Sequence, residues 1–179
     1  MNRCKWCNIR NEKYVKYHDE EWSVLNLDEH YLFEMLVLEM MQAGLSWECV
    51  LNKRENFRKA FDCFDVKKVA DFTDERILEL MNDKGIIRNR KKIEACRNNA
   101  KIFLVIEKEF GSFEVYLRTF WDGKVIHDSD STRNQLSDEI SSDMTKRGMR
   151  FCGSTIIYAF LQAIGIINGH EQQCFLHKN

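Results

Sequence analysis

Proline is missing altogether from the 179 residues, and glycine is scarce at eight. Turns and helix ends must therefore rest on Gly, Asn, Asp and Ser, which makes those residues unusually informative as boundary markers. An excess of charge is missing too: 27 Lys and Arg stand against 28 Asp and Glu, for a net charge of −1. The chain as a whole sets up no field to gather nucleic acid, so any such role needs local clusters of Lys and Arg. No apolar run approaches the ~18 residues of a membrane span. The most apolar stretch, "TIIYAFLQAIGII", is too short and carries Gln162. The opening "MNRCKWCNIRNEKY" lacks the apolar core of a secretory signal, and the expectation is a cytoplasmic protein with no membrane partner. Seven cysteines make an odd number, and without an export signal they read as reduced thiols or metal ligands.

What the chain does have is helical periodicity, in a length suited to one domain or to one domain with a small second lobe. One helix is predicted from about Asp28 to Ala43, stopped by Gly44, and Ser46 opens another through "WECVLNKRENFRKAF". Thr73 caps "DERILELMND"; "KGIIRN" then leads into a long helix that ends at Gly111, and Ser112 opens a short amphipathic segment. Beyond Trp121 a polar loop enters a helix near Ser137 that ends at Gly148, and Thr155 starts the last apolar helix. No strand alternation and no internal repeat is present, so the expected class is all-α.

Three groups of residues carry chemical meaning. In "LFEMLVLEMMQAGLSW", Leu32, Met35, Leu36 and Ala43 share one helical face with Glu39 near its middle, while Glu34 points the other way. Around Glu39 the sequence supplies Trp6, Tyr14, Tyr17, Trp22 and Trp47; rings bracketing a carboxylate suit a planar, electron-poor ligand, although each ring taken alone also suits a core. The second group is Lys84 to Lys92, "KGIIRNRKK", in which five of nine residues are Lys or Arg around a Gly-containing turn. Free backbone amides and cations suit a phosphate, and an ordinary solvated connection fits the same pattern. The third group is Cys4, Cys7 and His18 near the start with His170, Cys174 and His177 near the end. These are more N and S donors than a tetrahedral zinc ion takes, so the spacing alone leaves the ligand set open.

Taken together, "RCKW", "YVKYHDEEW", "LFEMLVLEMMQAGLSWECVLNKRENFRKAF", "KGIIRNRKKIEA", "KRGMRFCGSTIIYAFLQAIGIINGH" and the terminal H-x3-C resemble the 3-methyladenine DNA glycosylase I family over almost the whole chain. The resemblance implies a helix-hairpin-helix DNA glycosylase fold in one domain, 1–179, with the hairpin at about 84–92. It also implies one structural zinc ion joining the terminal segments through Cys4, His18, His170 and Cys174, with Cys7 and His177 outside the site. The implied reaction is hydrolysis of the N-glycosidic bond of 3-methyladenine in double-stranded alkylated DNA, without a lysine Schiff base, by a protein acting as a monomer and releasing the free base. Glu39 then serves base recognition with a possible share in catalysis, and Tyr14, Tyr17, Trp47, Trp6 and Trp22 hold the extruded base. Leu45, at the tip of "AGLS", takes the position of the residue that fills the gap in the duplex. Gly44, Gly85, Ile87, Arg88 and Lys91 complete the implied DNA contacts. A non-catalytic DNA-binding scaffold is the competing reading, and it is disfavoured because Glu39, Tyr17 and Trp47 are all present. The chain departs from the family at Ser23 and Leu25, where Gly and Pro are usual, and at Met40, Met41, Met149 and Cys152, which bear on loop shape and pocket wall.

Overall fold

Helix α2 (Glu29–Gln42) is buried on every side, with each residue from Tyr31 to Met41 withdrawn from solvent. A helix apolar all round belongs in the middle of a protein, and the other elements of this computed structural model, which describes residues 1–177, are arranged about it. Asp28 caps its start by accepting a hydrogen bond from the Tyr31 amide. Around it pack α3 (Trp47–Asn52), α7 (Arg90–Phe110), α8 (Phe113–Arg118) and α10 (Ser154–Ala163). The remaining helices are α1 (Glu12–Glu20), α4 (Arg54–Ala60), α5 (Val66–Ala70), α6 (Asp74–Asn82) and α9 (Gln135–Lys146), with a 3-10 turn at Asp62–Phe64. Among the described residues no helix is long and apolar enough to cross a membrane.

Caps explain most boundaries. Asn11, Ser46, Thr73, Asn89, Ser112 and Asn134 each accept from an amide in the first turn of the helix that follows. The structure corrects the sequence reading in two places. The helix expected from Trp47 to Phe61 breaks at Lys53, which lies outside both α3 and α4 and turns its ammonium onto the carbonyls of Lys84 and Gly85 at 3.2 and 3.3 Å. The fold is mainly, not wholly, helical: β1 (Ile126–His127) and β2 (Ile167–Asn168) form a parallel ladder pairing Ile126 with Ile167 and His127 with Asn168. Glu34 points away from Glu39's face, as the spacing predicts, and enters a second buried environment.

The ladder matters for position. It fixes the segment after α10, so that the chain enters Gly169 and His170 along a defined line beside α1 and the N-terminal residues.

Candidate active site and metal centre

The site is assembled from α1, α2, α3, α10 and the N-terminal segment. On α1, Tyr14 and Tyr17 lie three apart, and the helix presents both rings and His18 inward. Glu39 comes from the last turn but one of α2, and Trp47 from the first position of α3. Between them Gly44 adopts φ +78°, a left-handed conformation that lets the chain reverse within a few residues. A cavity of about 210 Å³ results, lined by Trp6, Tyr14, Tyr17, Trp22, Glu39, Gln42, Trp47, Ala159 and Gln162. This lies below the ~300–1,000 Å³ typical of sites for drug-sized ligands and suits a single heterocycle.

Its walls are aromatic and mutually supporting. Tyr17 and Trp47 stand with ring centroids 5.1 Å apart, Trp6 meets Trp22 edge-on at 4.6 Å, and Trp6 meets Tyr14 at 5.4 Å. Against this wall several polar groups have no protein partner, the Trp47 indole and the Glu39 carboxyl among them. The indole Nε1 of Trp47 is wholly withdrawn from solvent and has no hydrogen bond. The Glu39 carboxyl is 5% exposed, and burial alone, offset by no cation or donor, pushes it up to about 8. Unsatisfied buried polar groups cost stability, and native proteins keep them where something else is to be bound.

Glu34, five residues earlier, shows the opposite solution. Burial pushes its pKa up, but hydrogen bonds from Arg54 Nε at 2.7 Å and Arg58 Nε at 2.8 Å outweigh that and hold the carboxyl below its ordinary value. Arg54 also donates to Glu21 at the end of α1, so this buried network ties α1, α2 and α4 together beneath Tyr17.

The second feature adjoins the cavity. Cys4, His18, His170 and Cys174 are all buried, and their donor atoms lie within 4.8 Å of one another. Cys4 Sγ to His170 Nδ1 is 3.5 Å, Cys174 Sγ to His18 Nε2 is 3.5 Å, and Cys174 Sγ to His170 Nδ1 is 3.6 Å. A tetrahedral ion with metal–sulfur bonds near 2.3 Å and metal–nitrogen bonds near 2.05 Å requires sulfur–nitrogen edges of about 3.6 Å. These four side chains can therefore hold a metal ion. Burial, with His18 nearby, pushes His170 down to about 4, so the imidazole is neutral, the form that ligates. His18 Nδ1 lies 2.8 Å from Asp19, itself held by Arg3, and the Glu171 amide donates to Cys4 Sγ at 3.4 Å; such outer contacts orient ligands. Cys7 stands apart with its thiol toward the Tyr14 carbonyl, and His177 contacts the His170 carbonyl instead of joining the four. All seven cysteines are unpaired.

Cluster and cavity share walls: Trp22 meets His170 edge-on at 4.8 Å, and Trp6 lies 5.2 Å from His18. Gly169 is required between them, since a Cβ there would come within 2.3 Å of Gln162 Nε2 and 2.9 Å of the Trp22 ring. Ser23 occupies a left-handed conformation, φ 62°, where glycine is at ease. Its hydroxyl donates to the Ile167 carbonyl at 3.3 Å and accepts from the Gly169 amide at 3.2 Å, which offsets the strain.

Comparison with known proteins decides the family: residues 6–177 match the methyladenine glycosylase family. The chain belongs to that family. It is 41% identical over 180 residues to DNA-3-methyladenine glycosylase 1 of Escherichia coli (strain K12), covering 97% of this chain and 96% of that one. It is 40% identical over 178 residues to DNA-3-methyladenine glycosylase of Haemophilus influenzae, covering 96% of each. Among solved structures, a crystal structure of 3-methyladenine DNA glycosylase I superimposes with a TM-score of 0.94 at 40% identity, covering 99% of this chain and 100% of that one. The structure describing 3-methyladenine recognition by the Staphylococcus aureus enzyme gives 0.93 at 33% identity, covering 100% and 99%. As a methyladenine glycosylase the chain is an enzyme of the hydrolase class.

Within this family member, the residues expected to face the base, Glu39, Tyr14, Tyr17, Trp47, Trp6 and Trp22, all line the one cavity. Three further lining residues, Gln42, Ala159 and Gln162, were not expected. Gln162 was legible only as a polar interruption of an apolar helix, and Ala159 gave no signal at all. Leu45 is 44% exposed at the apex of the turn after α2. In the segment 84–92, Ile86 is buried and Lys84, Arg88 and Lys91 are exposed. Two details differ from expectation. The Gly85 amide is already bonded to Asp83 at 2.7 Å, leaving the amides of Ile87 and Arg88 without a bond among the described residues. Lys92, counted with the exposed cations, is buried and donates to the carbonyls of Met41 at 2.8 Å and Ala43 at 2.6 Å.

Proposed function

We propose that this chain is a monofunctional DNA-3-methyladenine glycosylase I that acts in base excision repair, hydrolysing the N-glycosidic bond of 3-methyladenine in alkylated duplex DNA. The observation that carries the reading is the Glu39 carboxyl, buried without a partner in an aromatic cavity sized for one base. At neutral pH an acid of pKa about 8 needs roughly 1.4 kcal/mol to ionise, one pKa unit. A base carrying a full positive charge readily offsets that in a dry site, and neutral adenine does not. Glu39 then discriminates by charge and by accepting from the exocyclic amine, while Trp47 stacks and Tyr17 and Tyr14 present hydroxyls. Neighbouring structures bound to 3-methyladenine support this assignment of the cavity.

Alkylation makes the base a good leaving group. When the bond between sugar and base breaks, the base keeps the electron pair and becomes neutral, and water adds to the sugar carbon with loss of a proton. The resulting abasic site needs no amine nucleophile, and no lysine is among the cavity's lining residues. Because the cation is neutralised as the bond breaks, a carboxylate at the base edge favours binding over the transition state, so Glu39 acts mainly in recognition.

On this reading the base is flipped from the duplex, Leu45 fills the gap, and Gly44 lets its turn approach the strand. The segment 84–92 is the hairpin of a helix-hairpin-helix: the free amides of Ile87 and Arg88 and the cations of Arg88 and Lys91 bind a backbone phosphate, and Gly85 shapes the turn. The metal is a structural zinc ion, as two thiolates and two imidazoles prefer. The family match over residues 6–177 supports one domain of this kind; on the same reading it works as a monomer in the cytoplasm. The test is incubation with methylated DNA: 3-methyladenine should be released well above its spontaneous rate, and release at that rate only would defeat the assignment.

A further inference from the structure

Lys92 is a buried cation with no carboxylate beside it. It is 5% exposed, and its ammonium is committed to two backbone carbonyls, Met41 and Ala43, at 2.8 and 2.6 Å. Burial lowers its pKa, so it is kept there at a cost. The four terminal carbonyls of a helix lack partners within the helix. In α2, Met40 accepts from the Ala43 amide, Gln42 accepts from the Leu45 amide at 2.6 Å, and Lys92 supplies the other two. Lys92 therefore completes the C-terminus of the helix that carries Glu39 and fixes the turn from which Leu45 projects.

Its own backbone belongs to a different part of the site. Lys92 lies in the first turn of α7, its amide bonded to the Asn89 cap at 3.2 Å, directly after the hairpin amides of Ile87 and Arg88. From the other side Lys53, at the break between α3 and α4, holds the hairpin carbonyls of Lys84 and Gly85. The segment 84–92 and the Leu45 turn are thus cross-linked by one side chain whose ammonium makes two hydrogen bonds to a helix end.

We propose that Lys92 is a positioning residue that couples the grip on the DNA backbone to base extrusion, holding Leu45 at a fixed offset from the hairpin so that binding energy at the phosphates is used to open the duplex. This rests on the glycosylase reading. Removing the ammonium should leave both end stations intact, the hairpin on its phosphate and the cavity on its base, and should impair only their concerted action.

Three proteins test it: unsubstituted, Lys92→Met and Lys92→Arg. Free 3-methyladenine binding, followed by tryptophan fluorescence, and affinity for undamaged duplex should stay within about two-fold in Lys92→Met. Single-turnover excision from alkylated duplex should fall on the order of 10- to 100-fold, and so should preference for a duplex with a stable abasic-site analogue over undamaged duplex. Lys92→Arg, whose fork can also reach two carbonyls, should recover most of the rate. Excision by Lys92→Met at the unsubstituted rate would overturn the coupling role. So would a parallel loss of base binding, duplex binding and rate in both variants, which marks a residue needed only for folding. Failure of the unsubstituted protein to excise would overturn the glycosylase reading instead, a separable result.

Discussion

Glu34 and Glu39 project from one helix, are 3% and 5% exposed, and are driven in opposite directions: two arginines hold Glu34 below the ordinary carboxyl range, while Glu39, with no partner, rises to about 8. The same residue type at the same depth is a structural anchor in one case and an open valence in the other. Fold stability and, on the proposed function, ligand recognition therefore divide between them.

Replacing Glu39 by Gln tests this through pH. A carboxyl raised from 4.5 to about 8 contributes its full share below 4.5, and that share is lost as pH rises to about 8. The folded state gives up on the order of 4 kcal/mol over that window, and Glu39→Gln does not. The variant should melt roughly 10 °C higher than the parent at pH 9, with the gap closing near pH 4. It should also bind 3-methyladenine less well. Identical melting curves at pH 9 would mean that Glu39 is solvated. Glu34→Gln should behave in the reverse sense, losing about 3 kcal/mol near neutrality by leaving the buried Arg54 with Glu21 alone and Arg58 with the exposed Glu55.

For the metal centre, Cys174→Ser should lower bound metal and reduce stability by several kcal/mol, moving Tm down by on the order of 10 °C. Since Trp22 touches His170, base affinity should weaken as well. Metal analysis of the purified protein together with calorimetry checks this; full stability after exhaustive chelation would show that no ion contributes.

Leu45→Ala should leave free-base binding unchanged, because Leu45 does not line the cavity. Excision from duplex should fall at least about 10-fold, that is about 1.4 kcal/mol. An unimpaired rate on duplex would remove Leu45 from the extrusion step.

At the hairpin, Arg88→Ala and Lys91→Ala should each reduce the slope of log affinity against log salt by about 1. The loss should be uniform across DNA sequences. A salt slope that stays put in both variants would place the phosphate contacts elsewhere.

Caps made much of the fold readable: Gly44, Ser46, Thr73, Gly111 and Ser112 bound elements where the residues suggested. The break at Lys53 was not readable, because its neighbours are good helix formers and the side chain is held by carbonyls about thirty residues away. The β1–β2 ladder is only two residues per strand, too short for alternation to register. Lys92 misled for a related reason: inside a run of basic residues nothing local distinguishes a buried cap from a solvated cation. The burial of Glu34 depends on Arg54 and Arg58, likewise distant in sequence. In the site, spacing left six candidate ligands, and their reduction to four came from family resemblance; Gln42 and Gln162 joined the wall only through packing.

The cluster of Cys4, His18, His170 and Cys174 also sets a timetable. A ribosome makes Trp6, Tyr14 and Trp22 early, yet the residues that back them, Gln162, Gly169 and His170, follow about 140 or more positions later. At 5–20 residues per second that is a wait of roughly 7–30 s. Throughout it the Trp22 ring lacks that backing. An interrupted translation product ending before residue 170 would carry every residue that lines the cavity but lack His170 and Cys174, so the four-residue cluster can close only once residue 174 has been made.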